Sequence, residues 1–238
     1  MFTFLPIHLI IITLFFGFRY YTSKIKSYSP TLMLPLQGVV PKFLLIPILL
    51  ISMFVIQGFS NKMQLFNKCN VDMTQTAFMT SAIVTFLIFG TIVSVIESVP
   101  IIKGPFDNTF GYFLSGMNVE TIRTVVNKIY VPKIRYGDSN VLESILNNEG
   151  LMLNTVRPSN FQMKMLPLKV PNTNRANDVM MKYYNLVLKK DLIGSFVWYV
   201  LAAAVAVLIN SESMNNIKCK KTNEDIVKNL SSISLDEI

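Results

Sequence analysis

Four stretches of the chain are almost entirely apolar and contain no Arg, Lys or Asp. They cover residues 2–18, 43–59, 78–97 and 192–209. A hydrocarbon core takes about 20 helical residues to cross, and a charged residue at its centre costs roughly 2.5–3.5 kcal/mol. Because a segment in lipid must pair its own backbone groups, the pattern predicts four transmembrane α-helices. The third can extend as far as residue 102.

The first stretch ends at Phe18 and is followed by Arg19, two tyrosines and two lysines. A cleaved secretory signal has its basic residues before the apolar run and small residues after it, which is the reverse of this order. Tyrosines suit a membrane interface, and basic flanks stay on the cytoplasmic side. We therefore expect a retained anchor whose N-terminus is extracytoplasmic.

The distribution of charge favours the same orientation. The chain carries 22 Lys and Arg against 14 Asp and Glu, a net charge of +8. Four spans place residues 19–42 and 103–191 on one side and residues 60–77 and 210–238 on the other, and the positive surplus lies on the first side. Among the short loops that orient a membrane protein, the first carries Arg19, Lys24, Lys26 and Lys42, and the second carries Lys62 and Lys68.

The predicted organisation is a membrane region with three spans (1–102), a basic extramembrane module (103–191), a fourth span (192–209) and a disordered tail (210–238). In the module, "KGPFDNTFGYF" at 103–113 mixes aromatic, glycine and polar residues and indicates a turn at the headgroup level, with a re-entrant loop as the alternative. Capping signals predict helices that begin at Asn118 and Asn140.

Alternation in "FQMKMLPLKV", residues 161–170, predicts a short strand or extended stretch. From Asn174 the pattern is helical again and can continue into the fourth span. The predicted fold is therefore an all-α membrane protein with four transmembrane helices and a small mixed α/β loop domain between the third and fourth.

Residues that carry chemistry are scarce. His8 is the only histidine and lies in the first span, and the motifs of phosphate loops, dinucleotide-binding folds and zinc proteases are missing. We predict no catalytic, cofactor-binding or metal-binding residues, and therefore no enzyme. Glu97 is the only acid in a predicted span. The predicted spans contain no Lys, Arg or Asp that could pair with it, so it is either an interfacial helix end or an intramembrane polar site.

The fourth span contains small residues at helical spacing. Ala202 and Ala206 form a small-xxx-small pair, and Gly194 adds a third small position. Such residues let helices approach closely in a membrane. They predict a helix-packing surface, within the chain or between copies.

Two further features lie on the predicted extracytoplasmic side. Cys69 and Cys219 could form a disulfide if that compartment is oxidising, or remain free thiols. Asn229 begins an Asn-Leu-Ser sequon and is a candidate glycosylation site.

The basic loop predicts contact with anionic lipid headgroups. Nucleic acid or an acidic protein surface is the alternative partner, although no base-stacking array of aromatic residues supports it. The remaining expected partners are the bilayer itself and other membrane or capsid proteins.

A short multispan chain rich in Lys, Asn, Ile and Phe, with "VPIIKGPFDNTFGYF" (99–113) after its third span and a basic loop behind it, resembles the small membrane proteins found beneath the capsid of large icosahedral DNA viruses. The resemblance implies a structural or assembly role, linking an internal virion membrane, or a host endomembrane, to capsid or core. The alternatives are an accessory subunit of an organellar membrane complex and a small channel or transporter. The sequence contains no internal repeat and no second acid within a predicted span, and this counts against the transporter.

Overall fold

The computed structural model describes residues 5–28, 33–35, 42–116, 120, 124, 154–165 and 173–219. These residues form α1 (Leu5–Ser23), β1 (Ile25–Tyr28), β2 (Met33–Pro35), α2 (Lys42–Cys69), α3 (Thr74–Ser98), α4 (100–115), α5 (Phe161–Met165) and α6 (Asn174–Asn216). The strands form one antiparallel pair, and β1 lies against α6.

Helices α1, α2, α3 and α6 are each long and apolar enough to cross a membrane, which confirms the predicted multi-pass organisation. Their outer faces keep large apolar side chains exposed, as expected of a lipid-facing surface and unusual for a soluble one. Examples from the four helices are Leu14, Ile51, Leu87 and Leu208. The chain is an integral membrane protein.

Aromatic rings fill the centre of the bundle. Tyr199 of α6 is fully buried, and its ring centroid lies 5.9 Å from Phe15, 4.9 Å from Phe16 and 6.2 Å from Phe89. Edge-on and offset contacts of this kind add to the stability that burial provides. Helix α6 is therefore the element around which α1 and α3 pack.

A short turn makes α2 and α3 antiparallel neighbours. Asn70, just after α2, adopts a left-handed conformation with φ 55° and donates its backbone N–H to the Phe66 carbonyl at 2.8 Å. Asp72 then accepts a hydrogen bond from the backbone N–H of Thr74 at 2.9 Å, at the start of α3. Local capping chemistry thus sets the second connection between spans.

Both α3 and α4 contain a π-helical segment, Ile83–Phe89 and Asp107–Gly111 respectively. The wider turn of each segment contains a buried polar residue, Thr85 in α3 and Asp107 in α4. Short π segments inside α-helices are frequent at functional positions. No sequence pattern predicted them.

The third span ends at Val99, whose extended backbone (φ −110°, ψ 92°) separates α3 from α4. Pro100 then occupies the first position of α4, where its missing N–H costs nothing. Residues 103–113 are helical, so the predicted turn is wrong. The buried face of α4 is formed by Lys103, Asp107, Gly111 and Ser115.

The outer face of α4 is apolar, with Ile101 and Phe113 each 85% exposed. A soluble helix has the opposite arrangement, with its apolar side inward. Sequence analysis did not predict this helix because its inward-facing positions are small or charged, whereas an apolar inward face is the pattern that identifies an amphipathic helix.

Helix α6 has 43 residues and begins at Asn174, as predicted. Thr173 caps it, its hydroxyl accepting from the backbone N–H of Ala176 at 3.3 Å. The helix contains the fourth span, 192–209, without interruption. At 1.5 Å per residue it is about 65 Å long, roughly twice the thickness of a hydrocarbon core.

The described residues of the loop between the third and fourth spans do not support the predicted mixed α/β domain. Phe161–Met165, the first half of the predicted strand, is helical, and the fully buried Phe161 packs its ring 5.4 Å from Tyr183 and 5.2 Å from Tyr184. The strands of the described chain lie between α1 and α2 instead.

The predicted helices after Asn118 and Asn140 lie outside the described residues, apart from 120 and 124, and so does the tail beyond Cys219, which includes Asn229.

Candidate functional site

An ion pair joins α1, α3 and α6 inside the bundle. Arg19 donates to both carboxylate oxygens of Glu97, with Nη1–Oε1 2.8 Å and Nη2–Oε2 3.3 Å, and the Tyr199 hydroxyl donates to Oε1 at 3.1 Å. The side chains of Arg19 and Glu97 are 4% and 16% exposed. Glu97 is therefore a polar site between helices.

The partner of Glu97 was missed because Arg19 was assigned to the flank of the first span. Helix α1 continues to Ser23, which carries Arg19 into the packed part of the molecule. The available signal was positional: Arg19 directly follows the first span and Glu97 ends the third. Because alternate spans cross the membrane in the same direction, these two positions lie on the same side.

The geometry of this pair fits a structural contact. Two-point pairing of a guanidinium with a carboxylate is strong and directional, and the Phe16 ring lies 5.7 Å from Arg19 Cζ. Removing either charge would leave the other buried without compensation. The site therefore holds three helices in register.

A second charged cluster lies between α4 and α6. Lys103 Nζ is 2.8 Å from Asp191 Oδ1, and both side chains are more than nine-tenths buried. Lys190 Nζ donates to Asn108 Oδ1 at 3.3 Å and lies 4.8 Å from the Tyr112 ring centroid. Two lysines that sequence analysis assigned to lipid headgroups are thus used inside the protein.

Asp107 is at the centre of this cluster. Both of its carboxylate oxygens are buried and accept no hydrogen bond from the described residues. Burial raises the pKa of Asp107 to about 7, and the negative charge of Asp191 adds to the rise, while Lys103, Arg157 and Lys190 oppose it. The carboxyl group therefore titrates near neutral pH.

The predicted small residues are at close contacts within the chain. A Cβ on Gly194 would lie 2.7 Å from Cα of Asp107, so glycine is what allows α4 to approach α6. Gly111 of α4 also allows the two helices to approach, since a Cβ added there would lie 2.6 Å from the Lys190 carbonyl oxygen of α6. Ala202 and Ala206 are buried in the core of the bundle.

At the other end of the bundle, carboxamides join α2, α3 and α6. Asn61 and Asn210 exchange hydrogen bonds of 2.9 and 2.8 Å, and Asn61 also donates to Ser81 at 2.9 Å. One turn away, Gln57 Oε1 accepts from the Thr85 hydroxyl at 3.2 Å. Sequence analysis did not single out these polar residues, because asparagine and glutamine are common at the ends of transmembrane helices.

The two cysteines are brought together at this same end. Cys69 and Cys219 form a disulfide that joins the end of α2 to the segment after α6, with a Cα–Cα distance of 5.2 Å. Lys68 beside it donates to the carbonyls of Met214, Asn215 and Ile217 at 3.1, 2.7 and 2.9 Å. These are the carbonyls that a helix end leaves unpaired.

No group of three or more His, Cys, Asp or Glu capable of holding a metal ion occurs in the described part of the chain. No family model, curated protein or solved structure matches the chain. The class of protein is therefore defined by its fold and composition alone, as a multi-pass integral membrane protein.

Proposed function

We propose that this chain is a structural and assembly protein that links a membrane to a protein layer on its basic side, as an internal virion membrane is linked to capsid or core. The observation that carries the proposal is the bracing of the bundle by polar contacts at both ends. At one end are Arg19–Glu97–Tyr199 and Lys103–Asp191. At the other end are Asn61–Asn210 and the disulfide.

Bracing of this kind favours a static role over a transport cycle. Alternating access needs one group of helices to move against another. Here the ion pairs tie α1 to α3 and α4 to α6, and the disulfide ties the end of α2 to the segment after α6. Each movement would separate buried charges or hydrogen-bonded amides, which is costly in a low-dielectric interior.

The surface that would meet a partner is the part of α6 that precedes the fourth span. Lys182 and Lys189 are both exposed and lie seven residues apart, so they share one face of the helix. Lys190 is engaged internally, and Lys189 Nζ also donates to the Ser115 carbonyl oxygen at 3.4 Å. Lys182 is therefore a cation that the described part of α6 offers to an acidic surface.

The test is photo-cross-linking in the native membrane or particle. A photoreactive residue at position 182 should capture a capsid or core protein, whereas the matched position 205, an exposed valine within the fourth span, should capture lipid. Capture of respiratory-chain subunits at 182 would instead establish the organellar accessory role. Capture of lipid alone at both positions would exclude a partner layer at this face.

A further inference from the structure

A cavity of about 430 Å³ opens between α1, α2 and α6 at the disulfide end of the bundle. Its size lies in the range of about 300–1,000 Å³ typical of small-molecule sites. Its wall combines apolar surface with carboxamide side chains, which belong to Gln57, Asn61, Gln64, Asn67, Asn210 and Asn215. Two serine hydroxyls, Ser60 and Ser211, add further donors and acceptors.

One of these carboxamides carries a buried donor that has no partner among the described residues. Gln57 is 4% exposed, and its Oε1 accepts from Thr85 in the π segment of α3. Its Nε2 is buried and donates to none of the described residues. Gln57 also lines the cavity, so a rotation of its side chain toward a ligand would give this N–H a partner and remove the cost of leaving a buried amide unpaired.

The charge of the lining restricts what can bind. His8 is the only titratable side chain on the wall, and no Asp, Glu, Lys or Arg of the described residues lines it. An ionised ligand would lose hydration there without gaining a countercharge. The wall therefore selects a neutral ligand that forms many hydrogen bonds.

We propose that this cavity binds a neutral polyhydroxylated group, of the size and chemistry of a hexose ring. Asn61 and Asn210 pair with each other, so the groups that would meet the sugar are the side chains of Gln64, Asn67 and Asn215. Like each sugar hydroxyl, these carboxamides both donate and accept, so the two groups pair without net charge. Met63 and Val207 supply apolar surface for the C–H face of the ring. The group can belong to a free saccharide or to the headgroup of a glycolipid. This inference is independent of the proposed structural role.

The binding test uses the full chain in phosphatidylcholine nanodiscs, prepared without glycoside detergents. The probes are methyl β-galactoside, measured by saturation-transfer NMR, and monogalactosyl diacylglycerol, measured by retention in native mass spectrometry. Phosphatidylglycerol serves as the charged competitor. The variants are Gln57→Leu and Asn215→Leu, and Asn216→Leu is the matched control because residue 216 is adjacent and exposed but does not line the cavity.

We expect the wild type and Asn216→Leu to bind the galactosyl group, and each cavity variant to bind it roughly tenfold more weakly, about the value of one hydrogen bond. Binding of the free glycoside identifies a saccharide ligand, and binding of the lipid alone identifies a headgroup. Failure of both probes, equal retention of phosphatidylglycerol, or an equal loss in Asn216→Leu would overturn the proposal. Asn215 is exposed, so its variant remains informative if Gln57→Leu does not fold.

Discussion

At the scale of single residues, the molecule depends on buried polar groups whose partners come from other helices. Arg19 and Glu97 are 78 positions apart in sequence, and Asn61 and Asn210 are 149 apart. Each pair is neutral overall or balanced in charge, which makes its burial tolerable. The first testable consequences therefore concern what happens when one partner is removed.

Glu97→Gln should destabilise the bundle by about 3–5 kcal/mol, because Arg19 stays buried while its countercharge is lost. The free energy of unfolding, from a denaturing-detergent titration, measures this. The double variant Arg19→Met with Glu97→Met should recover most of the loss. A single variant within about 1 kcal/mol of the wild type would exclude a structural ion pair, since that is the range of surface pairs.

Asp107 should make stability depend on pH. Its pKa is raised from 3.8 to about 7, so the folded state holds its proton more tightly than the unfolded state. The contribution of Asp107 to stability is therefore full below about pH 4 and is lost as the pH rises through 7. Asp191, Lys103, Arg157 and Lys190 face this group and stay in place in the variant described next.

Unfolding measured from about pH 4 to 8 in the wild type and in Asp107→Asn isolates this effect. The neutral amide cannot titrate, so the difference in stability between the two proteins should change across that interval, with the wild type losing stability relative to the variant at high pH. A difference that does not vary with pH would show that Asp107 is already ionised at the acidic end of the series.

At the scale of elements, the four spans and the helical segment before the fourth were predictable, whereas the helix after the third span was not. Runs of Ile, Leu and Phe identify helices that face lipid, because exclusion of charge is a local property of the sequence. Helix α4 escaped prediction because Lys103 and Asp107 point inward, which depends on partners in α6. The strand predicted from Phe161 failed for a similar reason, since a short alternation of apolar and polar residues suits either state and packing on Tyr183 decided it.

Gly194→Ala tests the approach of α4 to α6. The added methyl group would overlap the backbone of Asp107, so the variant should lose about 1–3 kcal/mol as α4 is displaced. Gly17→Ala is the matched control, because a Cβ added at Gly17 would meet no atom within 4 Å and alanine is the better helix former. Equal stability of the two variants would mean that α4 does not rest on Gly194.

At the scale of the whole molecule, the disulfide and the charge distribution give independent indications of sidedness. Basic residues favour a cytoplasmic location for the loop after α1. Disulfides persist in oxidising compartments, which favours an extracytoplasmic location for Cys69 and Cys219 at the opposite end of the bundle. The cysteines could be assigned to one side from sequence, but their pairing depended on where α2 and α6 end.

In sealed vesicles with the extracytoplasmic face outward, an impermeant phosphine should reduce the Cys69–Cys219 disulfide while an impermeant amine reagent leaves Lys182 unlabelled. A mobility shift on gels reports the first reaction, and peptide mass spectrometry reports the second. Permeabilised vesicles, in which both sites should react, provide the control. Access to both sites from one face of intact vesicles would contradict the four-span topology.

The unbroken course of α6 has a mechanical consequence. Residues 174–191 extend about 27 Å beyond the fourth span at 1.5 Å per residue, and no proline interrupts the helix. Under the proposed structural role, a continuous helix of this length would act as a spacer. A protein layer bound to the N-terminal end of α6 would then lie at a fixed distance from the lipid. Deleting whole turns from residues 174–191 should reduce that distance by about 5.4 Å per turn.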